Sequence, residues 1–225
     1  MIECKHLSKS FNKLQVLNDV NFELAPDKIT GIVGKNGAGK TTLFKCLTGL
    51  EEHDGTIISP FKPLKDSIGY LPTSPYFISR LTGKEYLTMV LKARGMNADN
   101  VASKNIFDLP LQSYASNYST GMKKKLALLG VLLQKNEVFI FDEPFNGVDI
   151  EGNMLISGIL NELKAQGKYI LLSSHIFSSL KTLSDSIFVL DQGKLSNSIL
   201  PPDYAQLEQD LAPKIEGAIL SKLEL

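Results

Sequence analysis

The chain has 225 residues, of which 43% are hydrophobic, and this is enough to bury one α/β core with a small appendage. Its 24 basic and 24 acidic residues balance, so charge gives no reason to expect a nucleic acid as a partner. No apolar stretch reaches the roughly 18 residues of a membrane span, and the amino terminus lacks a secretion pattern. Two distant cysteines, Cys4 and Cys46, suit a reducing compartment, so we expect a cytoplasmic protein.

The first elements predicted along the chain are two strands. Residues 2–7 and 14–24 alternate apolar and polar side chains, which predicts an antiparallel β region at the amino terminus. An apolar, β-prone run follows at residues 29–33, and a helix-competent stretch covers residues 40–50. Between them lies a glycine-rich run, so the predicted order is strand, loop, helix.

That glycine-rich run fits the phosphate-loop pattern G-x-x-x-x-G-K-[ST] without a mismatch. Glycines lack Cβ, so the backbone turns tightly and several amides can point at one phosphate, beside the positive end of the next helix. Lys40 is predicted to reach the terminal phosphates, and the Thr41 hydroxyl to bind Mg²⁺. The alternative is a glycine-rich turn that binds no phosphate. The predicted nucleotide-binding residues here are Gly34, Lys35, Asn36, Gly37, Ala38, Gly39, Lys40, Thr41 and Thr42.

A second apolar strand, residues 138–141, runs directly into Asp142, Glu143 and Pro144. Four apolar residues that end in two carboxylates are typical of a buried parallel strand whose carboxyl end opens onto a ligand crevice. Asp142 is predicted to hold Mg²⁺, and Glu143 to polarise or deprotonate an attacking water. A solvated turn is the alternative, but it would explain neither the apolar run nor its pairing with the phosphate loop.

The segment Tyr118-Ser119-Thr120-Gly121-Met122 resembles the signature of ABC ATPases, which reads Leu-Ser-Gly-Gly-Gln or a near variant. The resemblance extends over residues 2–195. In that family the segment opens a helix whose amino end caps the γ-phosphate held by the opposite subunit, and this implies such a role for Ser119 and Gly121. An ordinary serine-capped helix is the alternative. We expect the lysine run at residues 123–125 to be a solvated helix face.

Four further positions follow from the same resemblance. Phe11 stands where the family places an aromatic ring that stacks on adenine. Thr73 stands where the family usually carries a glutamine that touches Mg²⁺, so it is a candidate metal contact. Asp149 matches the loop that crosses the dimer interface, and His175 matches the switch histidine that contacts the γ-phosphate. The predicted catalytic residues are Glu143, His175 and Lys40.

The sequence thus predicts one domain over residues 1–225, an α/β P-loop NTPase core with a mostly parallel sheet. An antiparallel β region precedes the core, and a small helical subdomain is inserted at about residues 74–134, with residues 83–93 as its clearest amphipathic piece. A hairpin turn is expected at residues 191–194. A helical tail is expected over about residues 201–225.

The resemblance implies an ATP-hydrolysing subunit of an ABC transporter that uses ATP and Mg²⁺ and closes as a dimer when ATP binds. Its implied partners are a second, like or unlike, ATP-binding subunit and a membrane-spanning subunit at the inner face of the cell membrane. The form of the signature favours an export-type system. The alternatives are a non-transport ATPase of an envelope or cell-division complex, and an assembly switch that hydrolyses ATP poorly, which Thr73 and Thr120 suggest. A small-molecule kinase is disfavoured, because it would leave the signature segment unexplained.

Overall fold

The computed structural model describes residues 1–211, so the part of the expected tail at residues 212–225 lies outside the described residues. The strands are β1 Ile2–Phe11, β2 Leu14–Leu24, β3 Lys28–Val33, β4 Asp54–Ile58, β5 Ile68–Leu71, β6 Val138–Asp142, β7 Tyr169–Ser174, β8 Ser186–Asp191 and β9 Lys194–Leu195. The helices are α1 Lys40–Leu47, α2 Gly83–Ala93, α3 Thr120–Leu133, α4 Ile150–Ala165, α5 Phe177–Lys181 and α6 Tyr204–Leu211.

The larger sheet has six strands in the order β5-β6-β7-β3-β8-β9. All neighbours are parallel except β8 and β9, which form the hairpin expected at residues 191–194. Strands β6 and β7 are buried along their whole length, because their side chains alternate between two hydrophobic clusters, one on each face of the sheet. Val33 pairs with Ser174 and Asp142 with Ser173, so the carboxyl ends of β3, β6 and β7 meet at one edge of the sheet.

The amino-terminal antiparallel region is confirmed as a three-stranded sheet in the order β2-β1-β4. Pairing between β1 and β2 runs from Ile2 opposite Leu24 to Phe11 opposite Leu14, so β1 extends four residues beyond the predicted end at residue 7. A hydrophobic cluster that includes Leu17 and Phe44, both with 0% exposure, joins this sheet to α1 and the larger sheet. This packing places the smaller sheet beside the phosphate loop.

Helix α1 begins at Lys40, as predicted, and ends at Leu47 instead of residue 50. The reason is Gly49, whose φ of +73° lies in the left-handed region that ends helices. The Leu50 N–H turns back and donates to the Lys45 carbonyl at 2.9 Å, which closes the helix end.

The segment between β5 and β6 holds α2 and α3, and no strand lies in it. Helix α2 covers the predicted residues 83–93, and a reciprocal capping box fixes its start: Thr82 accepts from the Glu85 N–H, and the Glu85 carboxylate accepts from the Thr82 N–H. Its Tyr86 ring packs against Gly130 of α3. Among residues 1–211, no helix combines the length and apolar character that a membrane crossing requires.

Candidate active site

A cleft of about 240 Å³ lies where the carboxyl ends of β3, β5 and β6 meet the start of α1. Ten of the predicted site residues line it, and Val16 of β2, which the sequence analysis did not select, completes one wall. The lining residues are Val16, Lys35, Asn36, Gly37, Gly39, Lys40, Thr41, Thr42, Thr73, Asp142 and Glu143. The structure therefore brings the phosphate loop and both predicted carboxylates into one cavity.

The phosphate loop curls around the ammonium group of Lys40. Gly37 and Gly39 have φ values of +84° and +111°, which side-chain-bearing residues rarely adopt, and these let the chain reverse before α1. Lys40 is only 6% exposed, and its Nζ donates to the main-chain carbonyls of Gly34 at 2.6 Å and Lys35 at 3.3 Å. A cation thus lies at the centre of the loop and at the amino end of a helix, an arrangement that favours an anion.

Asp142, at the end of β6, accepts hydrogen bonds from three hydroxyl groups. Thr41 and Thr73 donate to Oδ2 at 2.6 and 2.7 Å, and Ser173 of β7 donates to Oδ1 at 2.6 Å. Asp142 itself has 0% exposure. Two threonine oxygens and one carboxylate oxygen converge at the wall of the cleft, and oxygen donors of this kind are the ligands that Mg²⁺ prefers. The residues present therefore fit a Mg²⁺ ion.

Glu143 follows Asp142 and is held from several sides. His175 Nδ1 lies 2.8 Å from its Oε2, and Lys40 Nζ lies 3.5 Å from its Oε1. Oε1 is buried and has no hydrogen-bond partner among the described residues. The φ of Glu143 is +52°, a left-handed conformation that costs on the order of 1 to 3 kcal/mol for a non-glycine residue. A carboxylate with one unsatisfied oxygen beside a buried lysine is suited to accept a proton or a hydrogen bond from a water in the cleft.

Ser173, which was not among the predicted site residues, connects both carboxylate-bearing residues. Its hydroxyl donates to Asp142 Oδ1 and accepts from the main-chain N–H of Glu143 at 3.0 Å. It has 0% exposure within β7. A polar residue near the carboxyl end of an otherwise apolar buried strand was the available indication, because such a residue must find partners in the neighbouring strands.

The expectation that the lysine run at residues 123–125 is a solvated face is wrong for Lys124. This side chain is 1% exposed, and its Nζ donates to the main-chain carbonyl of Glu143 at 2.5 Å. Burial lowers the pKa of the Lys124 ammonium, although the nearby Glu143 and Asp142 carboxylates oppose this. Three consecutive helical residues span about 200° of the helix surface, so the run is too wide for all three side chains to share one narrow exposed stripe. That geometry was the overlooked indication.

The signature segment lies outside this cleft, and so does Asp149. Ser119 caps α3 by accepting from the Met122 N–H at 3.2 Å, and Gly121 packs so tightly that a Cβ there would lie 2.8 Å from the Gly147 carbonyl oxygen. Asp149 caps α4 by accepting from Gly152 N–H at 2.7 Å, and this bond, with the adjacent Lys125, lowers the pKa of its carboxyl. Ser119, Gly121 and Asp149 were predicted to act at the interface with a second subunit, and none of them lines the cleft of its own chain.

Phe11 is also placed apart from the cleft lining. It ends β1 with 41% exposure, and Lys9 Nζ lies 4.8 Å from the centroid of its ring. Its assignment to adenine stays a prediction. The remaining loop residues, Gly34 and Ala38, support the cleft from behind: a Cβ on Gly34 would lie 2.4 Å from the Leu190 carbonyl oxygen, and Ala38 is buried.

The parallel sheet, the phosphate loop around Lys40 and the paired carboxylates define a nucleotide-binding domain of the P-loop class. A family model described as "ABC transporter" matches residues 17–146. The chain is 32% identical over 212 residues to the bacitracin transport ATP-binding protein BcrA of Enterococcus faecalis, covering 88% of this chain and 69% of the relative. It is 31% identical to the lantibiotic transport ATP-binding protein SrtF of Streptococcus pyogenes, covering 91% of both chains.

Solved structures show the same fold. An ATP-binding subunit of an ABC transporter superimposes with a TM-score of 0.79 at 29% identity, covering 90% of this chain and 91% of that chain. A dimeric ATP-binding cassette in a post-hydrolysis state, bound to ADP and phosphate, also gives a TM-score of 0.79, over 89% of this chain and 99% of that chain, at 17% identity.

The chain belongs to the ABC transporter family, and within it to the ATP-binding subunits. It binds ATP and hydrolyses it to power transport. The two relatives described above are transport proteins, and nothing in the comparisons supports the alternative role in an envelope or cell-division complex.

Proposed function

We propose that the cleft binds the phosphates of ATP and that Glu143 is the general base of hydrolysis. The observation that carries this proposal is the unsatisfied Oε1 of Glu143, which is buried 3.5 Å from Lys40 Nζ in the wall of the phosphate cleft. Lys40 and the amides of residues 34–42 hold the terminal phosphates. A water beside the γ-phosphate then donates to Oε1, and the carboxylate takes its proton as the water oxygen bonds to the γ-phosphorus. The bond from that phosphorus to the bridging oxygen breaks, and ADP leaves with the bridging oxygen.

His175 has a supporting role in this scheme. When its Nδ1 carries the proton, it donates to Oε2 of Glu143 over the observed 2.8 Å, and Oε1 remains the acceptor for the attacking water. The carboxylate is then oriented by the histidine and polarised by Lys40. Phe11, at the exposed end of β1, is proposed to stack on the adenine.

Thr41, Asp142 and Thr73 are the residues that would hold Mg²⁺ at this site. Their oxygens already converge, with both threonine hydroxyls on Oδ2 of Asp142. When bound, Mg²⁺ would neutralise part of the negative charge on the β- and γ-phosphates. Ser173 holds the other carboxylate oxygen, so Asp142 presents Oδ2 to the cleft in a fixed direction.

A second ATP-binding subunit is proposed to complete the site. Ser119 and Gly121 stand at the amino end of α3 but do not line the cleft of their own chain, so they are available to the nucleotide of a partner. Asp149, exposed at the start of α4, belongs to the same proposed interface. ATP bound between the subunits favours the closed dimer, and loss of the γ-phosphate removes that preference.

We also propose that a membrane-spanning subunit docks beside Thr73, which places the chain at the inner face of the cell membrane. The residues that follow Thr73 expose large apolar side chains: Tyr76 is 83% exposed and Ile78 is 53% exposed. Tyr114, 47% exposed, belongs to the same region, because its backbone pairs with Thr82. Exposed apolar side chains next to a metal-contacting residue suit a docking surface that responds to nucleotide state. The form of the signature supports an export-type system.

Affinity capture tests the partner. The Glu143→Gln protein with ATP, which is expected to stay in the closed state, is used to capture proteins from detergent-solubilised native membranes. A Lys40→Ala protein, which removes the central cation of the loop, is the matched control. Stoichiometric recovery of a multi-spanning protein with the first and not the second supports the proposal. Recovery of soluble proteins alone would contradict it and favour a non-transport ATPase.

A further inference from the structure

Lys124 is a buried lysine whose contact the reaction scheme above does not use. It lies in the second turn of α3, with 1% exposure, and its Nζ donates to the main-chain carbonyl of Glu143 at 2.5 Å. Burying an ammonium group is costly unless it serves a fixed partner, and here the partner is the backbone of the proposed general base.

The contact belongs to a larger attachment between the start of α3 and the β6–α4 loop, residues 143–149. Lys124 holds the first residue of this loop, and Lys125 pairs with both carboxylate oxygens of the last, Asp149, at 3.1 Å. Gly121 packs against the Gly147 carbonyl between them. Adjacent lysines on one helix therefore secure both ends of the loop that begins with Glu143.

The backbone conformation of Glu143 depends on these contacts. Its φ of +52° is unfavourable for a residue with a Cβ, so it persists only where the surroundings hold it. The N–H is held by Ser173 at 3.0 Å, and the carbonyl accepts from Lys124 Nζ and from the Asn146 N–H at 3.2 Å. Because backbone torsions set the direction of Cα–Cβ, the lysine contact helps to set where the carboxylate points.

We propose that Lys124 is a positioning residue that ties the Glu143 carboxylate to α3, the helix that carries the signature segment. When Ser119 and Gly121 engage the nucleotide of the partner subunit, the position of α3 is fixed, and Lys124 carries that constraint to Glu143 of the same chain. Each subunit then aligns its own base in response to the ATP bound by its partner. The inference rests on the proposed roles of Glu143 and the signature segment.

Substitution at Lys124 tests this role through steady-state hydrolysis. Lys124→Met keeps the length and removes the donor, and it is expected to lower kcat about 10- to 100-fold while the KM for ATP stays within about twofold. Lys124→Arg keeps a charged donor and is expected to restore most of the rate. Lys164→Met is the matched control, since Lys164 donates to Asp185 at 2.7 Å away from the cleft, and its kcat should stay unchanged. If the methionine variant does not fold, Lys124→Gln, which falls short of the carbonyl, replaces it.

A second measurement distinguishes a role of Lys124 in positioning the Glu143 carboxylate from general damage to the protein by the substitution. Single-turnover hydrolysis by Glu143→Gln is compared with that of Glu143→Gln/Lys124→Met. If Lys124 acts through the Glu143 carboxylate, the second substitution changes the residual rate less than about twofold, because the group it positions is already disabled. A further loss equal to that in the otherwise unmodified chain would overturn the inference, as would an unchanged kcat for Lys124→Met. A full rate for Glu143→Gln alone would instead refute the proposed function.

Discussion

His175 Nδ1 and Glu143 Oε2 are 2.8 Å apart, and this contact leaves the other carboxylate oxygen, Oε1, without a hydrogen-bond partner among the described residues. The two oxygens of one carboxylate thus have different surroundings. One is held by the residue after β7, and the other faces Lys40 at 3.5 Å. This asymmetry is what a general base needs, because one oxygen fixes the orientation while the other receives the proton.

Replacing His175 with alanine should therefore lower turnover without weakening ATP binding. Loss of the orienting contact is expected to reduce kcat about 10- to 100-fold, with little change in the KM for ATP. Phosphate release at saturating ATP measures the effect. His53→Ala serves as the control, because His53, whose Nδ1 lies 3.1 Å from the Asp54 carbonyl oxygen, does not line the cleft. An unchanged kcat for His175→Ala would show that the contact does not orient the base.

The threonine hydroxyls on Asp142 should govern the response to magnesium. Thr73→Val removes one donor to Oδ2 while keeping the shape of the side chain, and the Mg²⁺ concentration needed for half-maximal hydrolysis should rise about 10-fold or more. Thr73→Ser, which keeps the hydroxyl, should respond like the unmodified protein. Titration of hydrolysis with Mg²⁺ at constant ATP measures this. Equal curves for the valine and serine variants would exclude Thr73 from the metal site.

Ser173 should matter for stability as well as for turnover. Ser173→Ala leaves the Asp142 Oδ1 and the Glu143 N–H without their shared partner in a buried position. The expected cost is about 1 to 3 kcal/mol in the free energy of unfolding, together with a lower kcat. Urea denaturation measures the first and phosphate release the second. A variant that keeps its full stability would mean that water replaces the hydroxyl without loss.

Two glycines of the phosphate loop should tolerate alanine very differently. A Cβ on Gly34 would lie 2.4 Å from the Leu190 carbonyl oxygen, a backbone atom, so Gly34→Ala must displace the loop or β8. At Gly37, φ is +84° and no heavy atom of residues 1–211 lies within 4 Å of an added Cβ, so Gly37→Ala should cost only about 1 kcal/mol of backbone strain. We expect Gly34→Ala to unfold at clearly lower temperature and to bind ATP weakly. Similar melting temperatures for the two variants would contradict this account of the loop.

Local patterns predicted much of this fold. Helix α2 coincides with its predicted bounds, and strand β3 begins one residue before its predicted start at residue 29, because an amphipathic period and an apolar run are properties of the local sequence. The phosphate loop and the Asp142–Glu143 pair were likewise identified from contiguous residues. The burial of Lys124 was not, because it depends on how α3 packs against a loop that follows it in the chain. The role of Ser173 was not predicted for a similar reason. Its partners are the last residue of the neighbouring strand β6 and the residue that follows that strand.

The most direct test of the central claim is the association state of Glu143→Gln with and without ATP and Mg²⁺, measured by light scattering after size-exclusion chromatography. The account predicts a monomer without nucleotide and a stable dimer with ATP, together with hydrolysis reduced about 100- to 10,000-fold. The unmodified protein should hydrolyse ATP and return to monomers as ATP is consumed. A Glu143→Gln protein that still hydrolyses ATP at the unmodified rate, or whose association is the same with and without ATP and Mg²⁺ although it forms dimers, would contradict the account.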